Sequence, residues 1–253
     1  GFVLDPQGKF LGILNVRDHL QLHFIDYQGK LEKSWNKLSE IEESLSKRLK
    51  FSFHRKFGYL TSDINHSGTG LSCVVFAHVP ALNQSGELKK FLSLNSSEFV
   101  CVRSLLGETE GFVGDCLVVS NPFKTAISEE DLIGEIRRFV TKLEVAEKIA
   151  RRSLKERPSV SVLDSVSRAF GFLNYCCSLG TLEAIEAISL LKLASNLGWI
   201  SGVTESELAQ WMLNCKKGHL LVKQENQESL SDITRAEWIK KKLLPCTLKL
   251  PSN

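Results

Sequence analysis

The run Ser67-Gly68-Thr69-Gly70-Leu71-Ser72 has the residue types of an anion cradle: glycines let backbone N–H groups converge on phosphate oxygens, with hydroxyls alongside. It lacks a cation, because no lysine or arginine lies between Lys56 and Lys89. Arg103 and Glu108 bracket Ser104-Leu105-Leu106-Gly107 and put a guanidinium and a carboxylate into one short loop. Asp232 and Arg235 have the i, i+3 spacing that places both on one helix face, where a plain ion pair is the competing role. The seven cysteines form an odd set without a CxxC pair or a His/Cys ligand spacing, which argues against a disulfide framework and against a zinc site; no metal ligand set is assigned. Their usage points to a reducing cytosol, and adjacent Cys176 and Cys177 read as small buried hydrophobes.

Those groups need a scaffold, and 253 residues at 43% hydrophobic composition suffice for one large or two ordinary domains. A net charge of +3, from 32 basic and 29 acidic residues, argues for neither nucleic acid nor an anionic membrane as partner. Lys240 to Lys242 read as a solvated helix face. No apolar run approaches membrane-spanning length, and the start lacks a basic-then-apolar signal segment. The only methionine is Met212, so a chain opening Gly1-Phe2-Val3-Leu4 reads as a fragment or processed product with residues expected upstream.

Residues 9–16 and 19–25 are rich in β-branched and aromatic side chains and read as adjacent strands. After the Tyr27-Gln28-Gly29-Lys30 turn, Leu31, Trp35, Leu38, Ile41, Leu45 and Leu49 recur at helical spacing. Residues 58–62, 71–78, 98–104 and 115–120 read as further strands, with a helix over 80–94. Ser128-Glu129-Glu130-Asp131 supplies an N-cap and an acidic first turn for a helix that runs to about Arg157, where Pro158 stops it. Everything beyond reads as helical: 160–177, then 181–197 ended by Gly198, then a segment opened by the Thr204/Glu207 capping box and ended near Gly218, then 231–244. The expected class is α+β, a mainly antiparallel sheet flanked by helices over residues 1–157, followed by a small all-α domain over 158–253.

Several local motifs, taken in order, resemble the phosphagen (guanidino) kinase family. Asn15-Val16-Arg17-Asp18-His19-Leu20-Gln21 is similar to its N-E-E-D-H-L-R signature, and residues 57–72 resemble its G-Y-L-T-x-C-P-x-N-x-G-T-G-L-R segment. His78-Val79-Pro80-Ala81-Leu82 and Val102-Arg103-Ser104-Leu105-Leu106-Gly107-Glu108 resemble the bacterial protein-arginine kinase branch, the latter its V-R-G-x-x-G-E loop. Val119-Ser120-Asn121 matches the strand beyond. Residues 196–202 and Ser231-Asp232-Ile233-Thr234-Arg235-Ala236 resemble that branch's C-terminal domain, the last where its R-D-x-x-R-A motif forms a phosphoarginine pocket.

The resemblance implies transfer of a phosphoryl group from ATP, with Mg2+, to protein arginine, a reaction governed by positioning and electrostatics. The implied nucleotide site is Gln21, the run Ser72, Cys73, Val74, Val75 and Phe76, and the loop Arg103, Ser104, Leu105, Leu106, Gly107 and Glu108; the implied phosphoarginine pocket is Ser231, Asp232, Arg235 and Ala236. Glu108 and Arg103 are retained. Gln21 and Ser72 stand where the family has arginines, Arg17 where it has the catalytic glutamate, Asp63 where it has the active-site cysteine, and Ser231 where it has the pocket's leading arginine. The family's upstream S-x-R-x-R segment lies outside this chain. His19 reads as a strand histidine satisfied by its neighbours, and His66 as a loop histidine able to reach phosphate. Loss of one charge-stabilising donor at a transition state typically costs about a hundredfold to a thousandfold in rate.

The first reading is therefore a degenerate protein-arginine kinase acting as a regulatory or binding module in cytosolic protein quality control. The resemblance implies protein substrates, an activator subunit and a Clp-type protease as partners, with a homodimer as one arrangement. Two alternatives stay open: an active kinase completed by upstream arginines, and a scaffold that keeps only the fold.

Overall fold

Antiparallel pairing begins at once in the computed structural model, which describes residues 1–108, 111–122, 127–221 and 231–251, without the side chains of Asn65, Leu221 and Ser231. Strands β1 (Phe2–Leu4), β2 (Phe10–Leu14) and β3 (Leu20–Phe24) form a three-stranded sheet in that order, with Phe2 opposite Ile13 and Leu14 opposite Leu20. The β2–β3 turn is closed by Asn15 N–H donating to the His19 carbonyl. Asn15 takes φ +54°, a left-handed conformation that asparagine tolerates better than most residues. Helix α1 (Leu31–Ser46) presents a half-buried apolar face beside β3, and its Lys37 ammonium lies 5.2 Å from the centre of the Phe24 ring.

A short hairpin follows, β4 (Phe53–His54) against β5 (Gly58–Tyr59). Tyr59 exchanges both backbone hydrogen bonds with Gly68, so the hairpin is stitched to the glycine-rich loop. Gly58 is required there: its φ is +72°, and a Cβ would overlap the Gly68 carbonyl. Strands β6 (Val74–His78), β7 (Cys101–Ser104) and β8 (Cys116–Ser120) form a second three-stranded sheet in the order β6-β8-β7. The expected single helix over 80–94 is two, α2 (Pro80–Gln84) and α3 (Leu88–Leu94), because Gly86 at φ +75° interrupts it.

The rest is mostly helical: α4 (Glu129–Glu156), α5 (Val160–Tyr175), α6 (Thr181–Leu197), α7 (Glu205–Asn214), α8 (Lys217–Leu221) and α9 (Ser231–Leu243). Helix α6 buries Ala184, Ile188, Leu191, Ala194 and Leu197 and packs against α5 and α7, as expected of a helix apolar on most sides. Gly198 at φ +78° ends it in a Schellman arrangement, with Trp199 N–H donating to the Ala194 carbonyl and Gly198 N–H to that of Ser195. The Thr204/Glu207 capping box opens α7 as expected. One expectation fails: the region beyond Pro158 is not wholly helical, because β9 (Ile200–Ser201) pairs antiparallel with β10 (Thr247–Leu248). Gly202, at φ +86° beneath the Pro245 carbonyl, allows that approach.

By internal contacts the chain divides into two units, one of residues 1–75, 97–101 and 119–140, the other of 76–96, 102–118 and 141–253. The second unit holds a buried polar network. Asp115 accepts from Asn83 (2.7 Å), Gln84 (3.2 Å) and the Ser189 hydroxyl (2.5 Å), and His78 Nε2 lies 2.9 Å from Ser189 Oγ. Since Ser189 donates to Asp115, His78 Nε2 must donate to Ser189, which leaves Nδ1 deprotonated, buried and without a protein partner among the described residues. Glu147, buried on α4, accepts from the first-turn N–H groups of Ala81 and Leu82 and from Arg151, thereby capping α2. Burial raises the Glu147 pKa against these hydrogen bonds.

Burial, reinforced by Lys192 and Arg151, pushes the His78 pKa down to about 3. Below the usual imidazole value the unfolded chain binds a proton that the folded chain refuses, so stability falls as pH drops from about 6.5 toward about 3. Urea unfolding across that range is expected to lose stability more steeply in the wild type than in His78→Gln, by about one proton's worth of slope. Equal slopes would show that His78 is not the group concerned.

Candidate functional site

In the first unit, two adjacent residues of the β2–β3 turn grip the glycine-rich segment. Arg17 Nη2 lies 2.6 Å from Asp63 Oδ2, and Asp18 Oδ2 lies 3.0 Å from His66 Nδ1. Gln21, the second residue of β3, donates its amide to the same Asp18 oxygen at 3.1 Å. The His66 hydrogen bond, followed by that of Gln21, holds the Asp18 carboxyl below the usual carboxylate range against the opposing effect of burial. Asp63 and His66 arrive through a tight local fold: Thr61 Oγ1 donates to the Asp63 carbonyl, and a short 3-10 turn, Ile64–His66, carries the chain into the glycines. Arg17 and Asp63 thus pair with each other across 46 positions of sequence.

The glycine-rich loop keeps a cradle-like outline, with Gly68 at φ +117° and Gly70 at φ +70°. Its donors are only partly available. Gly68 N–H is committed to the Tyr59 carbonyl, and Leu71 N–H to Thr69 Oγ1, whereas the N–H groups of Thr69 and Gly70 have no protein partner among the described residues. Asn121 clamps the far side, accepting from Cys73 N–H at 2.8 Å and donating to the Leu71 carbonyl at 3.3 Å. Ser72 is exposed and uncharged. Cys73 is buried, which pushes its thiol up to about 11 and leaves it inert as a nucleophile. Beyond it Val74 and Phe76 are exposed on β6, with Val75 half-buried between them.

Arg103 and Glu108 belong to the second unit and share the loop that leaves β7. Ser104 N–H donates to the Glu108 carbonyl at 2.6 Å, Gly107 N–H to the Ser104 carbonyl, and Leu106 N–H to Ser104 Oγ. The loop is therefore a closed turn with Leu105 and Leu106 at its exposed tip. Arg103 and Glu108 are both exposed, and neither has an ion-pair partner among the described residues. Their charges are open to a ligand.

Arg235 behaves differently. Its side chain is 1% exposed and donates from Nε to the Cys215 carbonyl (2.6 Å) and from Nη1 to the Leu179 carbonyl (2.5 Å) and to Asp232 (2.5 Å). It ties α9 to the end of α7 and to the approach to α6. Ala236 beside it is buried, Asp232 is about half exposed, and the Ser231 side chain lies outside the described residues.

Sequence reasoning passed over Asp18, although it stands in the quoted Arg17-Asp18-His19 motif, and Asn121, which ends Val119-Ser120-Asn121. His66, which reads in the sequence as a loop histidine only in principle able to reach phosphate, meets Asp18. His19 is exposed and lies just outside β3 rather than being satisfied within it. Among the described residues no group of three or more His, Cys, Asp or Glu side chains is placed to hold a metal ion, and no helix is long and apolar enough to cross a membrane.

The architecture is that of the guanidino kinases. The duplicated taurocyamine kinase of Schistosoma mansoni, solved with bound transition-state analogue components, superposes at a TM-score of 0.52 and 23% identity, covering 68% of this chain and 24% of that one. A lombricine kinase superposes at 0.50 and 19%, covering 62% and 42%. Residues 1–150 match the family model of the ATP:guanido phosphotransferase C-terminal catalytic domain, and residues 159–251 that of the protein-arginine kinase McsB C-terminal domain. A protein-arginine kinase of Chlamydia pneumoniae is 35% identical over 90% of this chain, and one of Halothermothrix orenii 31% identical over 96%. The chain belongs to the protein-arginine kinase family of ATP:guanido phosphotransferases. It spans 63% of the length of the first of these relatives and 70% of the second.

Because Arg235 satisfies two buried carbonyls, Arg235→Leu should destabilise the protein by about 3 kcal/mol in urea unfolding, and Arg235→Lys, which lacks the planar fork, should recover little of it. A change within about 0.5 kcal/mol would mean that the guanidinium is not structural.

Proposed function

We propose that this chain is a protein-arginine kinase homologue with an impaired phosphoryl-transfer centre, serving as a regulatory or binding module in protein quality control. The observation that carries this reading is the Arg17–Asp63 ion pair at 2.6 Å. A centre that phosphorylates guanidinium needs a carboxylate to seat the substrate and take its proton. Here the position that resembles the catalytic glutamate supplies a guanidinium of its own, already resting on the protein's own carboxylate. An incoming arginine meets like charge.

The nucleotide side supports the same reading. ATP is the phosphoryl donor that the family implies, and magnesium would bridge its phosphates. The residues fit a triphosphate poorly. Gln21 is neutral and donates to Asp18, Ser72 carries no charge, and Gly68 N–H is committed to Tyr59. With two arginines replaced, each worth about a hundredfold to a thousandfold, transfer should fall to near background even without additivity. In the helical domain Arg235 donates to the chain's own carbonyls, which supports packing and protein contact there over phosphoarginine capture. The partners consistent with this reading are proteins of a Clp-type protease system.

A second reading, an active arginine kinase, is favoured by the exposed Arg103 and Glu108 on their closed loop, whose charges are unpaired among the described residues. The two readings separate in one assay. The full polypeptide is incubated with Mg-ATP and an arginine-rich protein, and acid-labile phosphoarginine is read by mass spectrometry. The proposal expects no transfer above an Arg103→Ala control, and a measurable gain in the triple variant Arg17→Glu, Gln21→Arg, Ser72→Arg. Wild-type transfer that vanishes in Arg103→Ala would overturn it.

A further inference from the structure

Between Glu43 and Asp63 the chain carries no carboxylate, in a protein with 29 acidic residues, yet it carries Lys47, Arg48, Lys50, Arg55 and Lys56. All five side chains are exposed, and none forms an ion pair among the described residues. Elsewhere the exposed arginines Arg17, Arg137, Arg138, Arg152 and Arg168 are paired, and Arg103 and Arg157 form no ion pair among the described residues. Of the flanking carboxylates, Glu42 accepts from the Tyr59 hydroxyl and Asp63 from Arg17, while exposed Glu43, four residues before Lys47, forms no ion pair among the described residues. Lys47, Arg48 and Lys50 follow the C-terminus of α1, where the helix dipole favours cations. Arg55 and Lys56 have no such reason, since they occupy the tip of the β4–β5 hairpin.

Apolar groups stand among these charges. Phe53 is 62% exposed and Phe57 54%, with Leu49 and Leu60 also exposed. The tip is preorganised: Lys56 N–H donates to His54 Nδ1 at 3.1 Å, Phe57 N–H to the His54 carbonyl at 3.0 Å, and the His54 and Phe57 rings stack at 4.9 Å. Lys56 Nζ lies 5.6 Å from the centre of the Phe57 ring. That ring is therefore engaged within the hairpin rather than offered to a nucleobase, and Phe53 meets Tyr59 edge to face at 5.3 Å. A fixed turn bearing unpaired cations and apolar edges suits an acidic chain with apolar side chains better than single-stranded nucleic acid.

We propose that this face, the end of α1 together with the β4–β5 hairpin, docks an acidic segment of a partner protein. Cations whose charges are unpaired in the free protein gain a partner without first breaking an ion pair, and a preformed turn loses little entropy on binding. The face lies within one unit and uses none of the residues assigned to phosphoryl transfer.

The test is fluorescence anisotropy of the full chain with a labelled synthetic peptide in which Glu and Asp alternate with Leu. Saturable binding is expected, weakening steeply as salt rises from about 50 to about 300 mM. Arg55→Glu with Lys56→Glu should weaken it about tenfold or more, while Lys241→Glu with Lys242→Glu, on the basic run of α9, should leave it unchanged. Should the reversal variant fail to fold, the milder Arg55→Ser with Lys56→Ser reads the same face. Absent binding, binding indifferent to both hairpin variants, or tighter binding of a single-stranded oligonucleotide through Arg55 and Lys56 would each overturn the proposal.

Discussion

Opposite charges on neighbouring residues, Arg17 and Asp18, fix the glycine-rich segment to the β2–β3 turn, and the character of the first unit's candidate site follows from that grip. The two contacts are unequal. Arg17 is 63% exposed, so its pairing with Asp63 is worth about 0.2–1 kcal/mol at most. Asp18 is far better covered and collects two hydrogen bonds on one oxygen, and its lowered pKa records that stabilisation. Asp18 therefore holds the segment, and Arg17 decides its charge. A loop arranged by such contacts keeps the outline of a phosphate cradle without a lysine or arginine of its own.

The second unit depends on buried polar groups satisfied by its own side chains and backbone. Asp115, itself at φ +53°, gathers Asn83, Gln84 and Ser189; Glu147 caps α2; Arg235 closes the carbonyls of Cys215 and Leu179. Each is a site where removing one partner strands another in low dielectric, so these contacts specify packing more than they add net stability. They also bear on function. A guanidinium committed to two carbonyls is not free for a phosphate, so the resemblance of a motif and the availability of its side chains are separate matters.

Much of the scaffold was legible because its signals are local. The helical spacing of α1, the caps at Ser128 and Thr204, and the left-handed stop at Gly198 each state their structure within a few residues. The paired strands β9 and β10 were not, since two-residue strands have no period and their pairing depends on the approach of Gly202 to Pro245. The site divides the same way. The sequence displayed a reversed sign at Arg17 and an added negative charge at Asp63, but their meeting is a long-range fact with no local trace. The commitment of Gly68 N–H to Tyr59 and of His66 to Asp18 was hidden for the same reason.

The proposed impairment makes a specific claim: the loop keeps the outline of a nucleotide site without affinity for ATP. Calorimetric titration of Mg-ATP into the full polypeptide tests it most directly. The account predicts no saturable heat at ATP concentrations up to about 1 mM, whereas magnesium-dependent binding with a Kd of about 1 μM or below would contradict it.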